Sequence, residues 1–248
     1  SKKGIVPDSF KVNFKIKDSY GPFIAKPILL DVSGIYLNNN FTFFSNDNSG
    51  INGVFTNSGI LNATIDAKNK IFGNVSGTIK KENVSLLISD AQINLKEIFS
   101  YLNIQRIIKV EEGSLNGYVN LTGTFNKPLL KGALKIDNPK CILPMFCNEV
   151  ISTNSILATI NKDEIKIVPN VYKVKNKEKL KADCVIYLNK WILDHIEANV
   201  STIDDEYVKG GLNIPEFRVW GDIEFNIKLF FEKNVLQVGG LLLGENVD

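Results

Sequence analysis

A strict two-residue alternation from Gly113 to Phe125 constrains this chain more than any other feature of its sequence. Its odd positions are apolar or glycine, and its even positions carry Ser, Asn, Tyr or Thr. Because successive side chains of a strand point to opposite faces, the pattern predicts a strand with one apolar face. After a turn at residues 126–128 the alternation restarts from Leu130 to Ile136, which predicts an antiparallel partner strand.

Glycine recurs on the apolar side of this strand pair. An ordinary sandwich would carry Val or Ile there, because glycine weakens a strand and adds no packing. Repeated inward glycine indicates a sheet that bends sharply, or one that leaves space for something lying against it. We therefore predict a sheet-bending role for four residues: Gly113, Gly117, Gly123 and Gly132.

Similar alternation recurs along the 248 residues, from Phe10–Ile16 near the start to Val235–Leu243 near the end. Clusters of Asn, Asp and Gly separate the alternating segments, as turns between antiparallel strands require. The chain is therefore expected to be one continuous β-rich segment over residues 1–248. Because it begins at Ser1 rather than Met, we expect a processed protein or a fragment of a longer one.

Two segments depart from the alternation. Apolar residues between Asn94 and Ile108 fall closer to helical spacing, with Asp90 or Asn94 as alternative N-caps. This predicts a short helix near residues 94–104. Residues 203–214 are interpreted as a connector or a second helical turn. The predicted fold class is thus all-β, with one or two short helices.

Composition and spacing exclude several functions. Lys and Arg total 29 against 27 Asp and Glu, so the net charge of +2 argues against a binder of nucleic acid. No run approaches the ~18 apolar residues of a membrane-spanning helix. The three cysteines lack zinc-site spacing. A disulfide between Cys141 and Cys147 and small buried thiols are both compatible with the sequence, the latter being the commoner state.

Catalytic chemistry is poorly supported. The single histidine, His195, has no Ser or Cys motif around it, and a histidine on an ordinary strand is the simpler interpretation. Glu111 and Glu112 are adjacent, as are Asp204 and Asp205, and adjacent strand residues point to opposite faces. No phosphate-binding glycine motif is present. We predict a protein that is not an enzyme, with no cofactor and no metal.

A basic stretch from Lys173 to Lys181 carries lysine at alternate positions. It could offer a cationic face to anionic lipid headgroups. The simpler interpretation is a solvated hairpin tip whose lysines keep the strand from pairing with other chains.

The string from Gly113 to Ile136 reads G-x-L-x-G-x-V-x-L-x-G-T-F-x-x-P-x-L-x-G-x-L-x-I. With the helical segment Leu95–Leu102 before it, this string resembles the repeat of the TamB family. TamB proteins are the inner-membrane-anchored subunits of the translocation and assembly module and are related to AsmA-like proteins. A weaker copy of the alternation occupies Phe217–Leu243, and stacked repeats of this kind build elongated architectures.

The resemblance implies an elongated, curled antiparallel sheet, described as β-taco-like, with a U-shaped apolar groove in the periplasm. It implies transport of phospholipids between the inner and outer membranes, with acyl chains as the bound partner. The alternative is assembly of outer-membrane proteins by β-strand pairing with a barrel subunit of the TamA or BamA type. The family's membrane anchor is not present in this sequence, so the parent chain is expected to be anchored in the inner membrane.

The apolar positions of both alternating regions admit two interpretations, a closed sandwich core or an open groove. The residues alone favour the core, and the resemblance favours the groove. An acyl chain needs only apolar surface, and each buried methylene contributes ~0.8 kcal/mol. The predicted groove residues are Leu115, Val119, Leu121, Leu130, Leu134, Ile136, Ile223, Phe225, Ile227 and Leu229.

Overall fold

The computed structural model describes residues 9–19, 26, 28–47, 49–68, 70–102, 105–189, 192–203, 206–214, 217–232 and 235–245. These residues form seventeen strands and one short helix. The strands are β1 Ser9–Ser19, β2 Ile28–Leu37, β3 Asn40–Ser45, β4 Ile51–Thr56, β5 Ile60–Ala67, β6 Ile71–Lys80, β7 Asn83–Asn94, β8 Lys109–Thr124, β9 Lys127–Leu143, β10 Cys147–Ser152, β11 Ser155–Lys162, β12 Glu164–Val174, β13 Lys177–Asn189, β14 Ile192–Thr202, β15 Val208–Ile214, β16 Phe217–Glu232 and β17 Val235–Glu245.

The strands form one antiparallel meander. From β1 to β9 each strand pairs with the next one along the chain. β10 and β11 then lie end to end between β9 and β12, and β14 and β15 lie end to end along β16. β10 and β11 together occupy one strand position, or row, of the sheet, and so do β14 and β15. The seventeen strands therefore make fifteen rows. The predicted all-β fold with a long, curled antiparallel sheet is confirmed.

The predicted helix is present and shorter than expected. Helix α1 spans Leu95–Phe99, and the Asn94 side chain caps it by accepting a hydrogen bond from the Glu97 amide at 3.3 Å. Asp90, the alternative cap, instead lies at a bulge of β7 with a φ of 52°.

The prediction of a second helical turn within residues 203–214 is wrong. Most of that range forms β15, which pairs with the first half of β16 through Gly210 and Gly221, among others. The free edge of β16 offers backbone hydrogen bonds that a single helical turn would leave unmade, and this tertiary pairing determines the local structure. Residues 204–205 lie outside the described residues.

One apolar line crosses the sheet from β1 to β16 without a polar residue. Residues paired across neighbouring strands share a face, and the register joins one residue from each of fourteen rows. On β16, Leu229 lies two residues from Phe231 and therefore shares its face. Leu229 pairs with Val238, so β17 also contributes to this face. We call this side of the sheet the apolar face. The line consists of Val12, Gly34, Phe43, Gly53, Ala63, Val75, Ile88, Val119, Gly132, Ile160, Ile165, Ile186, Ile196 and Phe231.

The apolar face is not sealed into a closed core. All seventeen strands belong to a single sheet, so no second sheet covers the face within the described residues. The accessible surface is 16041 Å², against about 11,000 Å² for a compact monomer of this mass. The larger area agrees with an apolar face that is left partly uncovered. The buried apolar residues are Val84, Cys147, Ile151, Ile160, Val174, Leu180, Val208 and Ile223.

Candidate apolar ligand site

An apolar cleft of about 350 Å³ lies where the later strands curl towards one another. Its walls come from the end of β9, the turn into β10, and strands β10 and β13 to β17, with Ile107 from the connector before β8. The volume falls within the range of small-molecule sites. The lining residues are Ile107, Leu143, Phe146, Cys147, Ile151, Leu180, Val200, Val208, Gly211, Ile223, Phe225, Ile227, Leu229, Val238, Gly239, Gly240, Leu241 and Leu242.

The predicted groove residues divide into two groups in the structure. The four on β16, namely Ile223, Phe225, Ile227 and Leu229, all line the cleft. The six on β8 and β9 share the apolar face, because Leu115 pairs with Ile136 and the register continues along both strands. Those six side chains are half-buried and do not line the cleft. The structure thus places all ten on one face but gathers only four around one cavity.

The predicted sheet-bending glycines lie where neighbouring backbones approach closely. Gly113, Gly117 and Gly123 have φ values of 136°, 153° and 98°, which L side chains rarely adopt. A Cβ atom on Gly117 would overlap the carbonyl oxygen of Ala133, and one on Gly132 would overlap that of Tyr118. The space beside these two glycines therefore holds the backbone of the adjoining strand rather than room for a guest.

Near β1 the apolar face is aromatic. The rings of Phe10 and Tyr36 stack with centroids 5.1 Å apart, and Phe10 also stacks on Phe41 at 6.4 Å. A Cβ on Gly34 would overlap the Phe41 ring, so this glycine lets the ring lie flat on the neighbouring strand. Phe10 is nevertheless 41% exposed, which shows that this end of the face is open to solvent.

Exposure changes steeply across the cleft. At its deep end Cys147, Leu180 and Val208 are 4%, 4% and 2% exposed. On the edge strand β17, Val238 and Leu242 are 54% and 45% exposed. Gly239 and Leu241 belong to the opposite alternation of β17 and still border the cavity, so the cleft reaches the backbone at the edge of the sheet. The cleft therefore has a closed end and an open mouth.

Two strands that are not neighbours close the deep end. The Gly211 amide donates a hydrogen bond to the Phe146 carbonyl at 2.8 Å. The Cys147 thiol donates to the Lys209 carbonyl with a sulfur–oxygen distance of 3.4 Å. Gly210 lies between them, and a Cβ there would come within 2.5 Å of the Phe146 carbonyl oxygen. We call residues Phe146, Cys147 and Lys209–Gly211 the clasp.

A compact cluster of buried residues forms the deep wall of the cleft beside the clasp. Cys147, Ile151, Val174, Leu180 and Val208 form the one cluster of buried apolar residues found in the described part of the chain. Within this region burial raises the pKa of the Cys141 thiol to about 11, and the nearby Cys147 adds to the shift. Cys141, Cys147 and Cys184 are free thiols, so the bridge between Cys141 and Cys147 is not formed.

The charged groups considered from the sequence lie away from the cleft. Glu111 pairs with Lys109 at 2.6 Å and Glu112 with Lys140 at 2.7 Å, so the adjacent carboxylates have separate partners. Asp204 and Asp205, the other adjacent acidic residues, lie outside the described residues.

His195 lies on β14, on the face opposite the apolar face. Its ring stacks on Tyr187 with centroids 4.2 Å apart, and Nδ1 lies 2.7 Å from the Asp194 carboxylate. Over the described ranges, no group of three or more His, Cys, Asp or Glu residues could hold a metal ion.

The basic stretch forms the predicted hairpin tip. Lys175 and Asn176 make the turn between β12 and β13, both with positive φ. Lys175 forms an ion pair with Glu149, and the Lys179 ammonium lies 3.2 Å from Glu206. Two of the lysines are therefore committed to contacts within the protein.

The sequence predicted the β16 wall of the cleft and missed its other walls. Leu180 and Val200 belong to alternating strands, so their face could be predicted from their position. Phe146 lies in a turn, and no periodicity indicates that a turn residue would close a cavity against β15.

No helix among the described residues is long and apolar enough to cross a membrane. Comparison of the chain with protein-family models, with curated proteins and with solved structures finds no match. The geometry of the apolar face and its cleft is therefore the basis for assigning a function.

Proposed function

We propose that this chain is a segment of a periplasmic lipid-transfer protein whose apolar face shields phospholipid acyl chains during transport between the inner and outer membranes. The observation that carries the proposal is the apolar line that crosses fourteen rows without a polar residue. The resemblance of Gly113–Ile136 to the TamB repeat supports the same function and location, and supports a parent chain anchored in the inner membrane.

The chemistry of the face suits hydrocarbon. Acyl chains offer no hydrogen-bonding group, so they bind wherever apolar surface remains in contact with water. Leu115, Val119 and Leu121 are half-buried rather than buried, and thus retain surface that a bound chain would cover. Each methylene transferred from water contributes ~0.8 kcal/mol, whichever residue it contacts.

Mass spectrometry of gently extracted protein tests the proposal, with Leu121→Arg and Thr122→Arg as matched variants. Leu121 lies on the apolar face, and Thr122 is its exposed neighbour on the opposite face. A guanidinium in the lipid path would have to be desolvated by the bound chain, which is costly. We expect phospholipid with the parent protein and Thr122→Arg, and a large loss with Leu121→Arg.

Two results would count against this function. One is an absence of lipid from the parent protein. The other is a folded Leu121→Arg variant that carries as much lipid as Thr122→Arg. Leu134→Arg offers a second position on the same face, since Leu134 pairs with Gly117 on β8.

The second candidate is an assembly factor that pairs a strand with an outer-membrane barrel protein. Strand β17 favours it, because Val235–Gly244 contains no charged residue and, among the described strands, β17 pairs only with β16. Uncharged apolar edges readily accept an added strand. Pull-down of a barrel subunit, lost in Leu243→Lys and kept in Leu129→Lys, would support this function. Leu243 is 50% exposed on β17, and Leu129 is 46% exposed on the interior strand β9.

A further inference from the structure

The lining of the cleft identifies the part of a lipid that it would hold. Among its eighteen residues none carries a charged side chain, and the Cys147 thiol is already bonded to Lys209. A carboxylate or phosphate placed inside would therefore lose its hydration without gaining a partner. A headgroup must remain outside the cleft, and only hydrocarbon can enter.

The direction of entry follows from the exposure of the walls. Val238 and Leu242 on the edge strand are about half exposed, whereas Cys147 in the clasp and Val208 next to it are almost fully buried. A chain that enters over the exposed edge strand β17 thus advances towards the clasp and stops there.

We propose that the cleft is a one-ended site for a single phospholipid acyl chain, and that the clasp sets the longest chain the site covers completely. This inference rests on the proposed lipid-transfer function and adds to it a defined binding site with a length limit. The open apolar face offers no such limit, because it continues across the sheet. The cleft does, because the Phe146 carbonyl and the Gly211 amide are bonded across its end.

Gly210 is the residue on which the closed end depends. Only a hydrogen atom fits between its Cα and the Phe146 carbonyl oxygen, which a Cβ would approach to 2.5 Å, with Ile223 Cδ1 at 3.3 Å. A methyl group at this position forces the Phe146 turn away from β15 and opens the end of the cleft. Gly73 on β6 is also buried, does not line the cleft, and has ordinary contacts at 3.6 Å and 3.7 Å from its Cβ position, so it provides a matched control.

The test measures how lysophosphatidylcholines with lauroyl, myristoyl, palmitoyl, stearoyl and arachidoyl chains bind to the complete chain of the parent, Gly210→Ala and Gly73→Ala proteins. Each methylene that reaches apolar surface raises the affinity about fourfold. For the parent and Gly73→Ala we expect this rise to level off within the series. For Gly210→Ala the affinity should continue to rise with chain length. The arachidoyl lipid should then bind this variant about tenfold more tightly than it binds the parent, which corresponds to one to two additional buried methylenes.

Each outcome decides between the two proposals. If no lysolipid binds the parent protein, the lipid-transfer function fails. If lysolipids bind and affinity rises through the whole series, or if Gly210→Ala levels off with the parent, the length limit fails and lipid transfer stands. Phe146→Ala, which enlarges the deep end, should shift the plateau to longer chains if Gly210→Ala does not fold. Val200→Phe, which narrows the cleft, should shift the plateau to shorter ones.

Discussion

Replacement of Gly117 by alanine tests whether close approach of strands shapes the sheet. Gly117 has a φ of 153°, and its Cβ position overlaps the carbonyl oxygen of Ala133 on β9. The alanine must adopt a backbone conformation that costs about 1–3 kcal/mol for an L residue. The overlap adds an overpacking cost of about 1–3 kcal/mol. We expect the free energy of unfolding to fall by at least about 2 kcal/mol.

Gly73→Ala is the matched control for this substitution. Gly73 is also a buried glycine within a strand, but its Cβ position has ordinary contacts at 3.6 Å and 3.7 Å, to Ala91 and Ser89. With no overlap to relieve, alanine there reduces the entropy of the unfolded chain and stabilises the protein by about 0.4–1 kcal/mol.

Urea unfolding followed by circular dichroism measures both variants of this pair, with the slope of the free energy against urea checked for each. A similar slope keeps the comparison of midpoints valid. If Gly117→Ala were as stable as Gly73→Ala, strand β9 would not lie where the structure puts it, and the explanation of curl by close approach would be refuted.

Three further substitutions probe packing, titration and charge. Val174 is 1% exposed, so Val174→Ala should lower the free energy of unfolding by about 2 kcal/mol in urea, while Val54→Ala at a 36% exposed site should change it by less than about 0.5. Burial raises the pKa of Cys141 from 9.0 to about 11, so the unfolded chain releases this proton first. Stability should therefore fall as pH rises from 9 to 11, and fall less in Cys141→Val; thermal melts across that range measure it, and equal losses would contradict the assignment. Lys175→Ala should cost less than about 1 kcal/mol despite the ion pair with Glu149, because the lysine is 68% exposed; a larger loss by urea unfolding would show a stronger contact.

The strand pair that dominates the sequence could be predicted in detail. The alternation from Gly113 to Ile136 predicted two antiparallel strands around a turn, and the structure pairs Leu115 with Ile136 and Leu121 with Leu130. Period-two patterning determines which side chains share a face, and turn residues determine where the chain reverses. Both signals are local, so a single sequence contains them.

The clasp could not be predicted, because it depends on curvature. Phe146 and Gly211 are far apart in sequence and lie on rows that are not neighbours, and they meet only because the sheet curls between them. Alternation assigns a face to each residue but gives no angle between successive strands, and small differences of twist and bulge accumulate across many rows. One irregularity of this kind lies at Thr153 and Asn154, where a single row of the sheet is interrupted and divided into β10 and β11.

The openness of the sheet links its fold to its proposed function. In a closed sandwich, a second sheet would bury the apolar face, and little apolar surface would remain for a ligand to cover. Here the backbone hydrogen bonds of a continuous meander hold the rows in register, while Phe10 and Val12 remain 41% and 46% exposed on that face. The protein retains its shape through the hydrogen-bonded strand pairs and the buried cluster at the deep end of the cleft. The apolar surface that folding leaves in contact with water is available to a bound hydrocarbon chain. Covering that surface contributes the free energy of transfer from water to the binding of the chain.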